Sequence, residues 1–162
     1  MKKIIYIIPG WEETCRRRPY QSLAKIARKK GYEVVFRNVD WTRPLSLQVF
    51  SVPENAVIFG FSLGAILARL VAQNHPCRLL ILASMTPLNS FKKGKNKKAL
   101  SDFLGSRYVQ NIAKKLKPKH LAKKQIQIYG ELELEGEKAD IVVPKTGHEL
   151  SKQYLKGIAR VL

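Results

Sequence analysis

Apolar positions along this chain fall into short runs separated by charged, helix-patterned stretches. Lys3 to Ile8 is nearly continuous in branched and aromatic residues, the pattern of a parallel strand covered on both faces. Pro9-Gly10 ends it. Pro19 opens a helix with Leu23, Ile26 and Ala27 on one face and Arg28, Lys29 and Lys30 near its C-terminus, where cations suit the dipole; Gly31 closes it. Glu33 to Val39 reads as a second strand. The connection from Asp40 to Asn55 contains Pro44 and Pro53 and has room only for a short helix around Ser46–Phe50. A third strand reaches Gly60, and its helix runs from Leu63 to about Asn74, before Pro76. Gly64, Ala65 and Ala68 are small enough to let that helix lie close to the sheet. Arg78 to Ala83 is a fourth strand. Gln125 to Tyr129 is a fifth, whose clearer alternation predicts a place nearer an edge, and Asp140 to Val143 is a sixth. Glu149 to Leu162 closes the chain as a helix, with Leu150, Tyr154, Leu155, Ile158 and Leu162 at helical spacing. Strands alternating with helices predict an α/β fold built on a doubly wound, mainly parallel six-stranded sheet.

The alternation breaks between Thr86 and Lys124. Phe91 to Lys98 reads as a solvated loop; Leu100, Phe103, Leu104, Tyr108, Ile112 and Leu116 then mark one face of an amphipathic helix ending before Pro118. This excursion carries about a dozen basic residues and a single acid, Asp102. It concentrates the charge of the whole chain, in which 30 Lys and Arg face 12 Asp and Glu for a formal net charge of +18. Such a field attracts polyanions and speeds encounter with acidic partners, without choosing among nucleic acid, anionic lipid, an acidic carrier protein or simple solubility. A length of 162 residues, 45% of them hydrophobic, is that of one globular domain over 1–162, the excursion occupying about 86–124. There are no internal repeats, and no apolar run approaches the length that spans a bilayer. The stretch Met1 to Ile8 imitates a signal peptide, but its apolar part is too short and Pro9-Gly10-Trp11-Glu12-Glu13 is no cleavage site. Cys15 and Cys77 form neither a disulfide framework nor a zinc pattern, so a cytoplasmic location is the expectation.

The stretch most informative about chemistry is Ala56 to Leu70. An apolar run ends in Gly60-Phe61-Ser62-Leu63-Gly64 and passes at once into good helix formers, the strand–turn–helix context of a nucleophile elbow. Glycines before and after Ser62 admit a turn too tight for side chains, and a helix starting at Leu63 aims its free N–H groups at an oxyanion. An ordinary turn also accommodates a serine; the flanking strand and helix favour the nucleophile. A serine hydroxyl needs a base and an oriented acid. Of the three histidines, His75 sits where it would stabilise a helix dipole, and His120 lies among lysines and reads as solvated. His148 follows the sixth strand in Pro144-Lys145-Thr146-Gly147-His148, on the sheet edge where ligands bind in such folds, and is the predicted base. The acid is expected in Tyr129-Gly130-Glu131-Leu132-Glu133-Leu134-Glu135-Gly136-Glu137: Glu133 first, then Glu131, then Glu135, with Asp140 assigned to the start of its strand. Two oxyanion donors are needed as well. The backbone N–H groups of Leu63 and Trp11 are the candidates, and Trp11 would also wall an acyl pocket.

In these residues the chain resembles the α/β-hydrolase superfamily, and within it the small capless bacterial and retinoblastoma-binding-protein-type serine hydrolases. The likeness covers essentially the whole length. It rests on Ile7-Ile8-Pro9-Gly10-Trp11 as oxyanion loop, Gly60-Phe61-Ser62-Leu63-Gly64 as elbow, Tyr129-Gly130-Glu131-Leu132-Glu133 as acid loop and Thr146-Gly147-His148 as histidine loop. It implies the sheet order second, first, third, fourth, fifth, sixth. The chain departs from the family pattern in a glutamate where aspartate is usual, in Pro9 where a histidine usually precedes the glycine, and in a short acid-to-histidine segment. The implied activity is that of a carboxylesterase-like serine hydrolase cleaving a small ester, thioester or amide through an acyl-enzyme on Ser62, with no metal or organic cofactor. The alternative is a catalytically degenerate module that grips nucleic acid or another polyanion through Lys92 to Lys124. A basic lid favouring anionic acyl substrates or an acidic carrier would join the two.

Overall fold

Six strands make a single sheet: β1 (Lys3–Ile8), β2 (Tyr32–Phe36), β3 (Val57–Phe61), β4 (Cys77–Ala83), β5 (Ala122–Gly130) and β6 (Ile141–Val143). Their order is β2-β1-β3-β4-β5-β6 and every neighbouring pair is parallel. This computed structural model describes residues 2–135 and 137–162; Met1 of the apolar start and Gly136 of the glutamate-rich loop lie outside the described residues. The uninterrupted apolar runs reflect burial of the sheet on both faces. On one face Ile5, Ile7, Phe59, Phe61 and Ile81 pack with Tyr20, Leu23 and Ala27 of α1 (Arg18–Lys29) and with Tyr154, Leu155 and Ile158 of α5 (Lys152–Val161). On the other, Ile8, Ile58, Leu80 and Leu82 meet Ile66, Leu67 and Leu70 of α2 (Leu63–Asn74) and Val109 and Ile112 of α4 (Ser106–Lys115). Ile7 pairs with Phe59 and Ile8 with Gly60, so the loop leaving β1 emerges beside the one leaving β3.

Differences from the sequence reading have local causes. The amphipathic stretch is not one helix: α3 (Gly94–Leu104) and α4 meet at Gly105, whose φ of +91° cannot continue a right-handed helix. Because α3 starts at Gly94, half of the expected solvated loop is helical; lysines there are good helix formers once Leu100 and Leu104 pack against the second core. The last helix begins at Lys152, not Glu149, because Ser151 caps it by accepting the N–H of Tyr154 at 3.2 Å. Around Ser46–Phe50 only a single 3-10 turn forms, over Leu45–Leu47. β5 is longer than expected and sits one strand in from the edge that three-residue β6 provides. Arg69 on α2 is buried, and its guanidinium donates to Gln125 Oε1 at 2.8 Å and to the carbonyls of Lys117 and Pro118 at 3.2 and 2.7 Å. It thereby fastens the end of the excursion to the sheet. Among the described residues no helix is long and apolar enough to cross a membrane.

Candidate active site

Ser62 stands between β3 and α2 with φ +55° and ψ −124°, a conformation that costs an L-residue strain and that recurs at functional turns. The glycines around it make the turn possible, each against a different neighbour. A Cβ on Gly60 would lie 2.4 Å from the carbonyl oxygen of Gly64 and 2.6 Å from Ala65 Cα. One on Gly64 would lie 2.1 Å from the carbonyl oxygen of Pro9 and 2.8 Å from that of Ile8, so its lack of a side chain lets the start of α2 lie against the end of β1, as expected of the small residues there. Ser62 N–H donates to the carbonyl of Ala83 at 2.8 Å, extending the β3–β4 ladder to the turn itself.

His148 reaches this serine from the loop after β6. Its Nε2 is 2.9 Å from Ser62 Oγ and its Nδ1 is 2.7 Å from Glu133 Oε2. A carboxylate only accepts, so the bond to Glu133 puts the ring proton on Nδ1 and leaves Nε2 as acceptor for the serine hydroxyl. The imidazole lies over Phe61, ring centroids 5.3 Å apart. Glu133 occupies a short 3-10 turn after β5 and is largely shielded, while His148 is half exposed. Burial is the largest influence on the Glu133 carboxyl and pushes its pKa up. Bonds from His148, from the Ser84 hydroxyl and from the Gly130 N–H together outweigh it and hold the pKa below the ordinary 4.5.

The other acids of this loop go elsewhere. Glu131 turns toward the histidine loop and accepts the N–H of Lys145 at 2.7 Å. Glu135 is exposed, and Asp140 accepts the N–H of Gln127 at 2.7 Å at the start of β6. The acid and histidine loops are also joined by the N–H of Leu132 donating to Thr146 at 2.9 Å, and they touch so closely that a Cβ on Gly130 would lie 2.2 Å from the Thr146 carbonyl oxygen. His75 caps α2, donating its N–H to Val71 at 2.9 Å. His120 is half-buried, not solvated: its Nδ1 accepts from the Ala122 N–H, and burial with the nearby Arg69 charge lowers its pKa. Burial raises both cysteine thiols to about 11, which keeps them protonated.

The loop after β1 closes on the elbow from the far side. Gly10 sits where a Cβ would be 3.4 Å from Ser62 Cβ. Its carbonyl accepts the N–H of Glu13 at 3.0 Å in a tight turn, with Glu12 at φ +54°. Its N–H donates to the hydroxyl of buried Tyr20 at 2.9 Å, and that hydroxyl donates to Glu13 Oε2. Glu13 is paired through its other oxygen with Arg17. Leu63 is the first residue of α2, and helix geometry leaves its N–H without an intrahelical acceptor. A cleft of about 370 Å³ opens between His148 and the Glu13–Arg17–Tyr20 group, floored by Phe61.

No protein-family model matches the sequence and no curated protein matches it. Solved structures do. Est1E from Butyrivibrio proteoclasticus superposes with a TM-score of 0.70 over 98% of this chain and 84% of its own, at 12% identity. MGS-MChE2, an alpha/beta hydrolase enzyme from a lagoon-sediment metagenome of Mar Chica, Morocco, gives 0.63 over 99% and 89%, at 17% identity. The chain has the α/β-hydrolase fold. Tomato methylketone synthase I, solved with beta-ketoheptanoate, shares it at a TM-score of 0.59, 12% identity and coverage of 99% and 98%. An α/β-hydrolase fold therefore fixes where a site lies and leaves its reaction to the side chains.

Within this α/β-hydrolase fold, the sequence reading missed several residues at the site. Ser84, at the end of β4 with φ +47°, donates to Glu133 Oε1 and lies 3.0 Å from the Tyr154 hydroxyl. Tyr20 and Glu13 brace the β1 loop, and Trp41 packs edge-on to Trp11 with ring centroids 5.1 Å apart. Phe103 and Tyr108 of the excursion come within 6.0 and 5.9 Å of the same indole, so the α3–α4 hairpin rests on the loop beside the elbow. Among the described residues no group of three His, Cys, Asp or Glu side chains converges to hold a metal ion.

Proposed function

We propose that this protein is a carboxylesterase-like serine hydrolase that cleaves a small ester, thioester or amide through an acyl-enzyme on Ser62. The observation that carries the reading is the unbroken line of hydrogen bonds Ser62 Oγ–His148–Glu133, set at a turn whose serine has positive φ. In the first step Ser62 Oγ attacks the acyl carbon while His148 Nε2 takes its proton, and Glu133 steadies the resulting imidazolium. The N–H groups of Leu63 and Trp11 hold the tetrahedral oxyanion. Collapse expels the leaving group, which receives the proton from His148 on the side of the cleft lined by Glu13, Arg17 and Phe61. Water then repeats the sequence on the acyl-enzyme and regenerates Ser62. The structural neighbour MGS-MChE2 is an alpha/beta hydrolase enzyme, which agrees with this class of reaction. No cofactor takes part in these steps.

Ser62→Ala tests the reading directly. Labelling by a fluorophosphonate should disappear and hydrolysis of a p-nitrophenyl ester should fall by roughly 10⁴-fold or more. Labelling that persists in the variant removes Ser62 from the mechanism.

A further inference from the structure

We infer that Tyr20 is a positioning residue for the oxyanion donor of the β1 loop: with Glu13 it locks the Gly10–Trp11 peptide so that the Trp11 N–H faces the reacting centre. The inference rests on the proposed serine mechanism and adds residues that the nucleophile–base–acid line does not contain. A peptide group is planar and trans, so its carbonyl and N–H point to opposite sides. The Gly10 carbonyl is turned inward to accept the N–H of Glu13 at 3.0 Å. The Trp11 N–H, on the opposite edge of that same peptide, is therefore turned out of the loop, and among the described residues no protein acceptor receives it. That carbonyl bond can persist only while Gly10 and Glu13 keep their places, and the Tyr20 hydroxyl fixes both. It accepts the Gly10 N–H, on the peptide just before, at 2.9 Å and donates to the Glu13 carboxylate, so one oxygen staples the two ends of the turn.

The donor and acceptor roles are unambiguous, since a phenol has a single proton and a carboxylate has none to give. Burial, reinforced by the Glu13 carboxylate, raises the Tyr20 pKa, which keeps the hydroxyl protonated. Tyr20 is 1% exposed on α1 and packed in the core with Leu23 and Ala24, so the staple is fixed to buried, close-packed structure. The loop it holds needs that anchor. Glu12 at φ +54° is an unfavourable conformation for a non-glycine residue, and Gly10 is already pressed against Phe61 and Ser62.

The test compares Tyr20→Phe, Glu13→Ala and the double variant with the unaltered protein. Each is assayed for p-nitrophenyl ester turnover and for inhibition by a trifluoromethyl ketone, which forms a tetrahedral oxyanion on a nucleophilic serine. Each single variant should lose kcat by roughly ten- to a hundredfold with KM within about twofold. The inhibition constant should rise by the same factor as kcat/KM falls. Because the two side chains act as one relay, the double variant should be no worse than the poorer single one. Glu13 is only partly buried, its side chain 22% exposed, and lies outside the core that holds Tyr20, so its variant remains informative should Tyr20→Phe lower the melting temperature. Unchanged kcat and ketone affinity in both single variants, with Ser62-dependent turnover intact, overturns this inference alone, as do losses that simply add in the double variant. Turnover that survives Ser62→Ala overturns it together with the proposed mechanism.

Discussion

A serine held at φ +55° is a residue whose side chain has been placed at the expense of its backbone. The strain left a trace in the sequence because relieving the crowding around it requires glycine at 60 and 64, and glycine between a strand and a helix is conspicuous. Glu133 was legible for another reason, as a carboxylate on the loop that chain order puts between nucleophile and base. Ser84 and Tyr20 were not, since a serine at a strand end or a tyrosine on the apolar face of a helix looks like core. Their roles appear only when hydroxyl partners are known. The lowered pKa of Glu133 carries a consequence for stability. A carboxyl whose folded pKa lies below its unfolded value contributes stability that is complete above the ordinary 4.5 and is lost as pH falls through the lower folded value. The urea midpoint of the wild type minus that of Glu133→Gln should accordingly shrink as pH falls below 4.5. Ser84→Ala, which removes one of the three donors, should confine that fall to a narrower range nearer 4.5. A difference that grows as pH falls below 4.5 contradicts the assignment.

At the scale of elements, strand alternation and helix punctuation were enough to give a parallel α/β sheet, because each parallel strand needs a crossover and the crossovers were visible as amphipathic stretches; the order of the strands came from the family resemblance. Boundaries were less legible where a single residue decides them: Gly105 divides α3 from α4, and Ser151 delays the start of α5. Also invisible was the close packing of the loop after β5 against the loop after β6, which depends on the absence of a side chain at Gly130. Gly130→Ala would push a methyl to within 2.2 Å of the Thr146 carbonyl oxygen. We expect a loss of about 3 kcal/mol in urea unfolding and a larger fractional loss of turnover, since the same shift displaces acid and base. Gly147→Ala is the control. Nothing lies within 4 Å of its added Cβ, and its stability should stay within about 0.5 kcal/mol of wild type.

For the whole molecule, the sequence reveals a net charge of +18 but not where the charge acts. The fold sets the lysine-rich α3–α4 hairpin on Trp11, next to the elbow, through Phe103 and Tyr108. The expected outcome is a preference for an acyl donor carrying a carboxylate over its neutral methyl ester at low ionic strength. That preference should fade as salt approaches the range where the Debye length falls to about 3 Å. Equal rates at every ionic strength would assign the basic surface to another purpose, for which retention of nucleic acid at low salt is the direct assay. The clasp between the loops after β5 and β6 has a further bearing on how such a site can be inherited or rebuilt. Glu131 to Lys145, Leu132 to Thr146 and Glu133 to His148 are bonded across one short stretch of chain, with β6 the one regular element between them among the described residues. Under the proposed mechanism, acid and base thus belong to one internally bonded stretch of chain that meets the serine at His148. A transplant of the chemistry onto another scaffold has to carry the stretch from Gly130 to His148 whole.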